Sequence, residues 1–67
     1  IEALKDPEAV VRFPACIALR EMGPVAIEAV PALREALEDR SDDVAAMARR
    51  ALIAITGEDP LDAGTDE

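Results

Sequence analysis

LKDPEAVVRFPACIAL, residues 4–19, is answered thirty-three residues later by LEDRSDDVAAMARRAL, residues 37–52. Leu4, Asp6, Val11, Ala15, Ala18 and Leu19 recur in register as Leu37, Asp39, Val44, Ala48, Ala51 and Leu52. A period of this length is the mark of one supersecondary unit used more than once. At 100° per residue, Val11, Ala15, Ala18, Leu19 and Met22 fall on one stripe of a helix, and Val44, Ala48, Ala51, Leu52 and Ile55 fall on the same stripe of its copy. Between the copies, Ala26, Val30, Leu33 and Leu37 make one side of a further helix, while Ala29, Ala32 and Ala36 make a second, flatter side. A lone helical hairpin cannot cover two apolar faces per helix. A stack of hairpins can, because each lies between neighbours.

Breakers place the elements. Residues 1–5 read as the last turn of an upstream helix. Asp6 is a candidate cap and Pro7 a candidate first residue for a helix over about 7–22. Gly23-Pro24 stops that helix, and a second is expected over about 24–38. Ser41 caps a third, over about 41–56, which Gly57 closes. Residues 58–67, EDPLDAGTDE, read as an acidic, irregular tail. Pro14 removes a hydrogen bond to the Val10 carbonyl and predicts a static kink. Pro31 either kinks the second helix or marks where its regular part begins.

The two copies differ on one further stripe. Val10, Phe13 and Ile17 of the first become Asp43, Ala46 and Arg50 in the second. The change to polar residues predicts that the second copy is a terminal unit whose outer face meets water; Ile53, on an otherwise mixed face, is an exception. It also makes Val10, Phe13 and Ile17 the candidate face for stacking or for homo-oligomer formation. A chain that begins at Ile1 within an apolar pattern is expected to be part of a longer one.

Composition narrows the function classes. The net charge is −8, but five of the fifteen acids lie in the last ten residues, which leaves −3 for the body. With seven Lys and Arg, one Phe, and no Trp or Tyr, the chain has neither a basic stripe for phosphates nor rings on which to stack bases. Nucleic acid is therefore not an expected partner, nor is an anionic membrane surface. The default compartment is the cytoplasm. Cys16 sits in the apolar run ACIAL and reads as a small packing residue, since a nucleophile would want an activating neighbour and the chain has no His. DRSDDV, residues 39–44, starts like a calcium loop. Val44 stands where the turn needs Gly, however, and Arg50 where it needs an acid. No cofactor and no catalytic set are expected.

These residues resemble HEAT-like repeats of the bacterial type, also found in phycobilisome lyases. The likeness rests on the acidic turns Leu4-Lys5-Asp6 and Leu37-Glu38-Asp39, on Val11-Arg12 and on Ala18-Leu19 with Ala51-Leu52. Gly23, Gly57 and the run Val30 to Leu33 also carry it, and it spans residues 1–57. The resemblance implies an all-α fold, an α-solenoid of antiparallel helix pairs with about one and a half to two repeats. It also implies an arginine–aspartate ladder along the stack, which Ala45, standing in place of the second arginine, would break. Some such proteins hold di-iron through His–Glu pairs, which a chain without His lacks. The expected function is a non-catalytic scaffold at the C-terminal end of a solenoid, binding another protein with exposed Arg12, Arg20 and Arg49 on the surface made by the second helix of each repeat. The alternatives are a non-catalytic part of a phycobilin-lyase-like enzyme, or of another enzyme with such repeats, and a small self-associating helical protein.

Overall fold

Two aspartates, thirty-three residues apart, do the same local work. Asp6 Oδ1 accepts the Glu8 N–H at 2.9 Å, and Asp39 Oδ1 accepts the Ser41 N–H at 2.8 Å. Each closes a side-chain turn that aims the chain into the following helix. The computed structural model describes residues 2–60. It contains a 3₁₀ turn at Glu2–Lys5, helix α1 at Ala9–Met22, a 3₁₀ segment at Gly23–Ala29, helix α2 at Val30–Ala36 and helix α3 at Asp42–Thr56. The arrangement is all-α, with α1 and α3 packed most extensively on each other and α2 packed on α3.

Several boundaries differ from those expected. Residues 2–5 form a 3₁₀ turn rather than an α-helical one. Helix α1 starts at Ala9 because Asp6 engages Glu8, which leaves Pro7 ahead of the helix. It then runs unbroken to Met22 through Pro14, whose ring is on the exposed side. The second helix is α-helical only from Val30. Ahead of it the chain is 3₁₀, with a kink at Ala26 (φ −90°, ψ 24°). Pro31 therefore lies in the first turn of α2, where its missing N–H costs nothing. The third helix agrees closely with expectation. Ser41 Oγ accepts the Val44 N–H at 3.4 Å, and Gly57, at φ +82°, donates to Ile53 O at 2.8 Å. A side chain at that φ would be strained. Residues 61–67, most of the expected tail, lie outside the described residues.

The core is built of small aliphatic residues around Leu33, Leu52, Val44 and Cys16, all fully buried. The stripe expected for α3 is buried throughout: Val44, Ala48, Ala51, Leu52 and Ile55. The stripe expected for α1 is not. Of its residues Leu19 is buried and Ala15 half-buried, but Val11, Ala18 and Met22 are exposed, and Arg12 and Cys16 point inward in their place. The reason is positional. A helix inside a stack has two flanks to bury, and among the described residues the helix pair packed on α1 covers the flank that faces α3.

Candidate interaction surfaces

Arg12 was expected on an exposed surface, and the structure corrects this: it is 9% exposed. Its Nε donates to Asp39 Oδ2 at 2.6 Å and its Nη2 to Asp39 Oδ1 at 2.9 Å, while Nη1 donates to the Asp6 carbonyl at 2.6 Å. The fork thus ties the turn before α1 to the turn before α3. The planar guanidinium matches both carboxylate oxygens, and the third bond satisfies the remaining edge. The hydrogen bond from Arg12 holds the Asp39 carboxyl below its ordinary range, against the opposing effect of burial. A residue so engaged locks register, with three of its five guanidinium N–H groups held inside the chain. Asp39 as its acceptor is legible only as half of the implied ladder, since nothing local joins residues twenty-seven apart.

The expected stacking stripe divides. Val10 is 74% exposed, whereas Phe13 and Ile17 are half-buried, with Phe13 packed against the protein's own core. The three therefore do not form one open apolar face. Arg20, one helical turn beyond Ile17 on the same edge, places Nη1 3.6 Å from Met47 Sδ of α3. That contact identifies the Phe13–Ile17–Arg20 edge as the one leaning on α3.

Three surface features stand out among the described residues. The first is an open depression of about 340 Å³ across α1 and α3, lined by Arg20, Arg50, Ile53 and Ala54. Its two arginines come from different helices, and Ile53 between them is exposed. The second is a groove of about 310 Å³ where α1 meets the 3₁₀ segment. Leu19, Met22, Val25 and Ala29 line it, and Met22 and Val25 are largely open to solvent. The third lies beyond α3. Arg49 Nε donates to Asp59 Oδ1 at 2.8 Å and Nη2 pairs with Asp59 Oδ2, so this arginine is half covered by the chain that follows α3.

Of the three arginines proposed from sequence, Arg12 is internal, Arg49 is held by Asp59, and Arg20 is exposed at the depression. Arg50 joins Arg20 there. The sequence marked Arg50 only as a loss of apolar character, because its neighbour on α1 is set by the angle between two helices. Cys16 is fully buried, and burial first, then the charge of Asp39, pushes its thiol up from the ordinary range. Among the described residues no group of three His, Cys, Asp or Glu side chains is placed to hold a metal ion. No helix among them is long and apolar enough to cross a membrane.

A family model described as HEAT repeats matches residues 1–63. No curated protein and no solved structure matches the chain. With helix pairs in a thirty-three-residue register, joined by an arginine that bridges their two acidic turns, the chain belongs to the HEAT repeat family.

Proposed function

We propose that the chain is a non-catalytic protein–protein interaction scaffold that docks an acidic segment of another protein on the α1–α3 surface around Arg20, Arg50 and Ile53. The observation that carries this reading is the convergence of two arginines from different helices on one exposed isoleucine. Such a site offers charge for steering and an apolar anchor for affinity. Scaffolding is the general role of HEAT repeats, whose stacked helix pairs present a continuous surface. The finer likeness to the bacterial repeats of phycobilin lyases rests on the motif residues alone. We favour the scaffold over a pigment-handling part because Phe13, the one aromatic side chain, is half-buried in the chain's own core. We also read α3 as the finished end of a stack, with Asp43, Ala46 and Arg50 on its outward side.

Site-specific photo-crosslinking tests the reading. A photoreactive residue at position 53 is expected to capture another protein in a salt-sensitive manner, and the same residue at position 28 is not. Capture that is equal at both positions, or unchanged in Arg20→Ala/Arg50→Ala, would reject this surface.

A further inference from the structure

The joint between α1 and α3 carries an oxidisable sulfur at its rim. Met47 of α3 is half-buried and packs against the core, and its Sδ accepts an N–H from Arg20 Nη1 at 3.6 Å on the exposed side of the joint. That bond is weak, because a thioether is a weak acceptor. Arg20 also lines the depression with Arg50, Ile53 and Ala54. One guanidinium therefore borders both a sulfur and an open surface. The other two sulfur atoms of the chain are placed differently. Met22 is 50% exposed and lies in the groove beside the 3₁₀ segment. Cys16 is fully buried and its thiol is pushed up by that burial, so it is shielded from oxidants.

A hydroperoxide converts a thioether to a sulfoxide. A sulfur lone pair attacks one oxygen of hydrogen peroxide, so that an S–O bond forms and the O–O bond breaks. The displaced hydroxide takes the proton left on the transferred oxygen and departs as water. Sulfur loses two electrons and the peroxide gains them. The side chain is then polar where it was apolar. At Met47 the new oxygen needs a donor, since a polar atom left unpaired against the core is costly. The donor already touching this sulfur is Arg20. A weak N–H···S bond is thereby replaced by a charge-assisted N–H···O bond, which is roughly twice as strong as a neutral one.

We propose that Met47 is a hydroperoxide-sensitive modification site whose sulfoxide oxygen captures the Arg20 guanidinium and withdraws it from the depression it shares with Arg50 and Ile53. Arg20 keeps its charge, but its donors turn to a side chain of α3, and an acidic segment then meets Arg50 alone. Sulfoxide reductases reverse the step, one enzyme for each epimer at sulfur, so the capture is a reversible switch. The loss of binding rests on the Arg20–Arg50 reading given above. The capture of Arg20 by the oxidised side chain does not.

The test treats the full chain with hydrogen peroxide, locates the added oxygen by mass spectrometry and follows the guanidinium nitrogen signals of Arg20 by NMR. Oxygen on Met47 is expected to shift those signals and to slow the exchange of their protons with water. Met47→Gln, whose amide oxygen imitates the sulfoxide, is expected to do the same without peroxide. Met22→Leu is expected to respond as the wild type does, and Met47→Leu not to respond. Binding is read with a short synthetic peptide of glutamates flanking a leucine. Its affinity is expected to fall about two- to fivefold on oxidation, the worth of one exposed charge pair, and to be indifferent to peroxide in Arg20→Ala. Arg20 signals that stay in place when Met47 carries oxygen, or in Met47→Gln, would overturn the proposal. So would a Met47 that resists peroxide while Met22 is fully oxidised, a loss of helicity on oxidation, or an equal fall in affinity in Met47→Leu. If the peptide ignores the reduced chain while the Arg20 signals still shift, the capture stands and the docking reading of this surface fails.

Discussion

Helices α1 and α3 carry one motif in one register, yet each buries the flank that the other exposes. Cys16 is fully buried and its counterpart Arg49 is half-exposed. Met22 is 50% exposed and its counterpart Ile55 is 4% exposed. Burial here belongs to the pair of helices that happens to be adjacent and not to the residue's place in the motif. A HEAT helix has two flanks to cover, and in this chain α1 meets a following pair while α3 meets a preceding one.

The comparison breaks most visibly by exchanging the two residues at position 16 and position 49. Cys16→Arg places an unmatched charge in the contact between α1 and the second helix pair. It is expected to cost more than about 4 kcal/mol, the range reserved for buried charges, and to leave the chain unfolded by circular dichroism. Arg49→Cys is expected to change stability by no more than the ~0–1 kcal/mol typical of an exposed ion pair. Equal effects of the two would mean that the flanks are not distinct.

A second pair of substitutions sharpens the same contrast with aliphatic residues. Ile55→Ala is expected to lower stability by about 2–5 kcal/mol, the loss typical of a buried large side chain. Met22→Ala, at the equivalent place on α1, is expected to stay within about 0.5 kcal/mol, as exposed positions do. Urea midpoints of the two variants, measured side by side, give the comparison directly.

The forks differ in the same sense and rank next. Arg12→Ala leaves the Asp39 carboxylate inside the joint without its partner and loosens both turns. It is expected to destabilise the chain clearly, by less than Ile55→Ala. Its pH signature follows from the lowered pKa of Asp39, caused first by the hydrogen bond from Arg12. A carboxylate held below its unfolded value contributes stability above that value and loses it as pH falls through the folded one. The gap between wild type and Arg12→Ala is therefore expected to be widest near neutrality and to narrow in acid. A gap that widens in acid would contradict the assignment.

The smallest effect belongs to the Arg49–Asp59 fork. Asp59→Asn removes one charge from a fork whose arginine is half in water, and is expected to cost about 0–1 kcal/mol, falling further with added salt. Helicity by far-ultraviolet circular dichroism should not change. A loss as large as that of Arg12→Ala would mean that the two forks bear equal weight in the fold.

Much of the fold was legible because it rests on local chemistry. The third helix, its Ser41 cap and its Gly57 stop follow from residues within a turn of one another. The α3 stripe follows from a period that the helix itself imposes. The start of α2 was open between two readings of Pro31, and the 3₁₀ geometry of residues 23–29 decided it. The candidate surface was less legible. Arg12 looked exposed because arginine usually is, and the acid that holds it lies twenty-seven residues away. Arg20 was read correctly as exposed, but its companion Arg50 sits on another helix. The angle between those helices comes from side-chain packing, for which spacing along the chain has no measure.

By itself, the sequence determined the repeat length, the helical class and the punctuation, since each depends on groups that meet within a few residues. Tertiary structure alone decided which flank of each helix is covered, which arginine turns inward and which acid receives it. Those outcomes depend on what lies across a helix–helix contact. One motif can therefore bury a cysteine in its first copy and carry an arginine paired with Asp59 in its second.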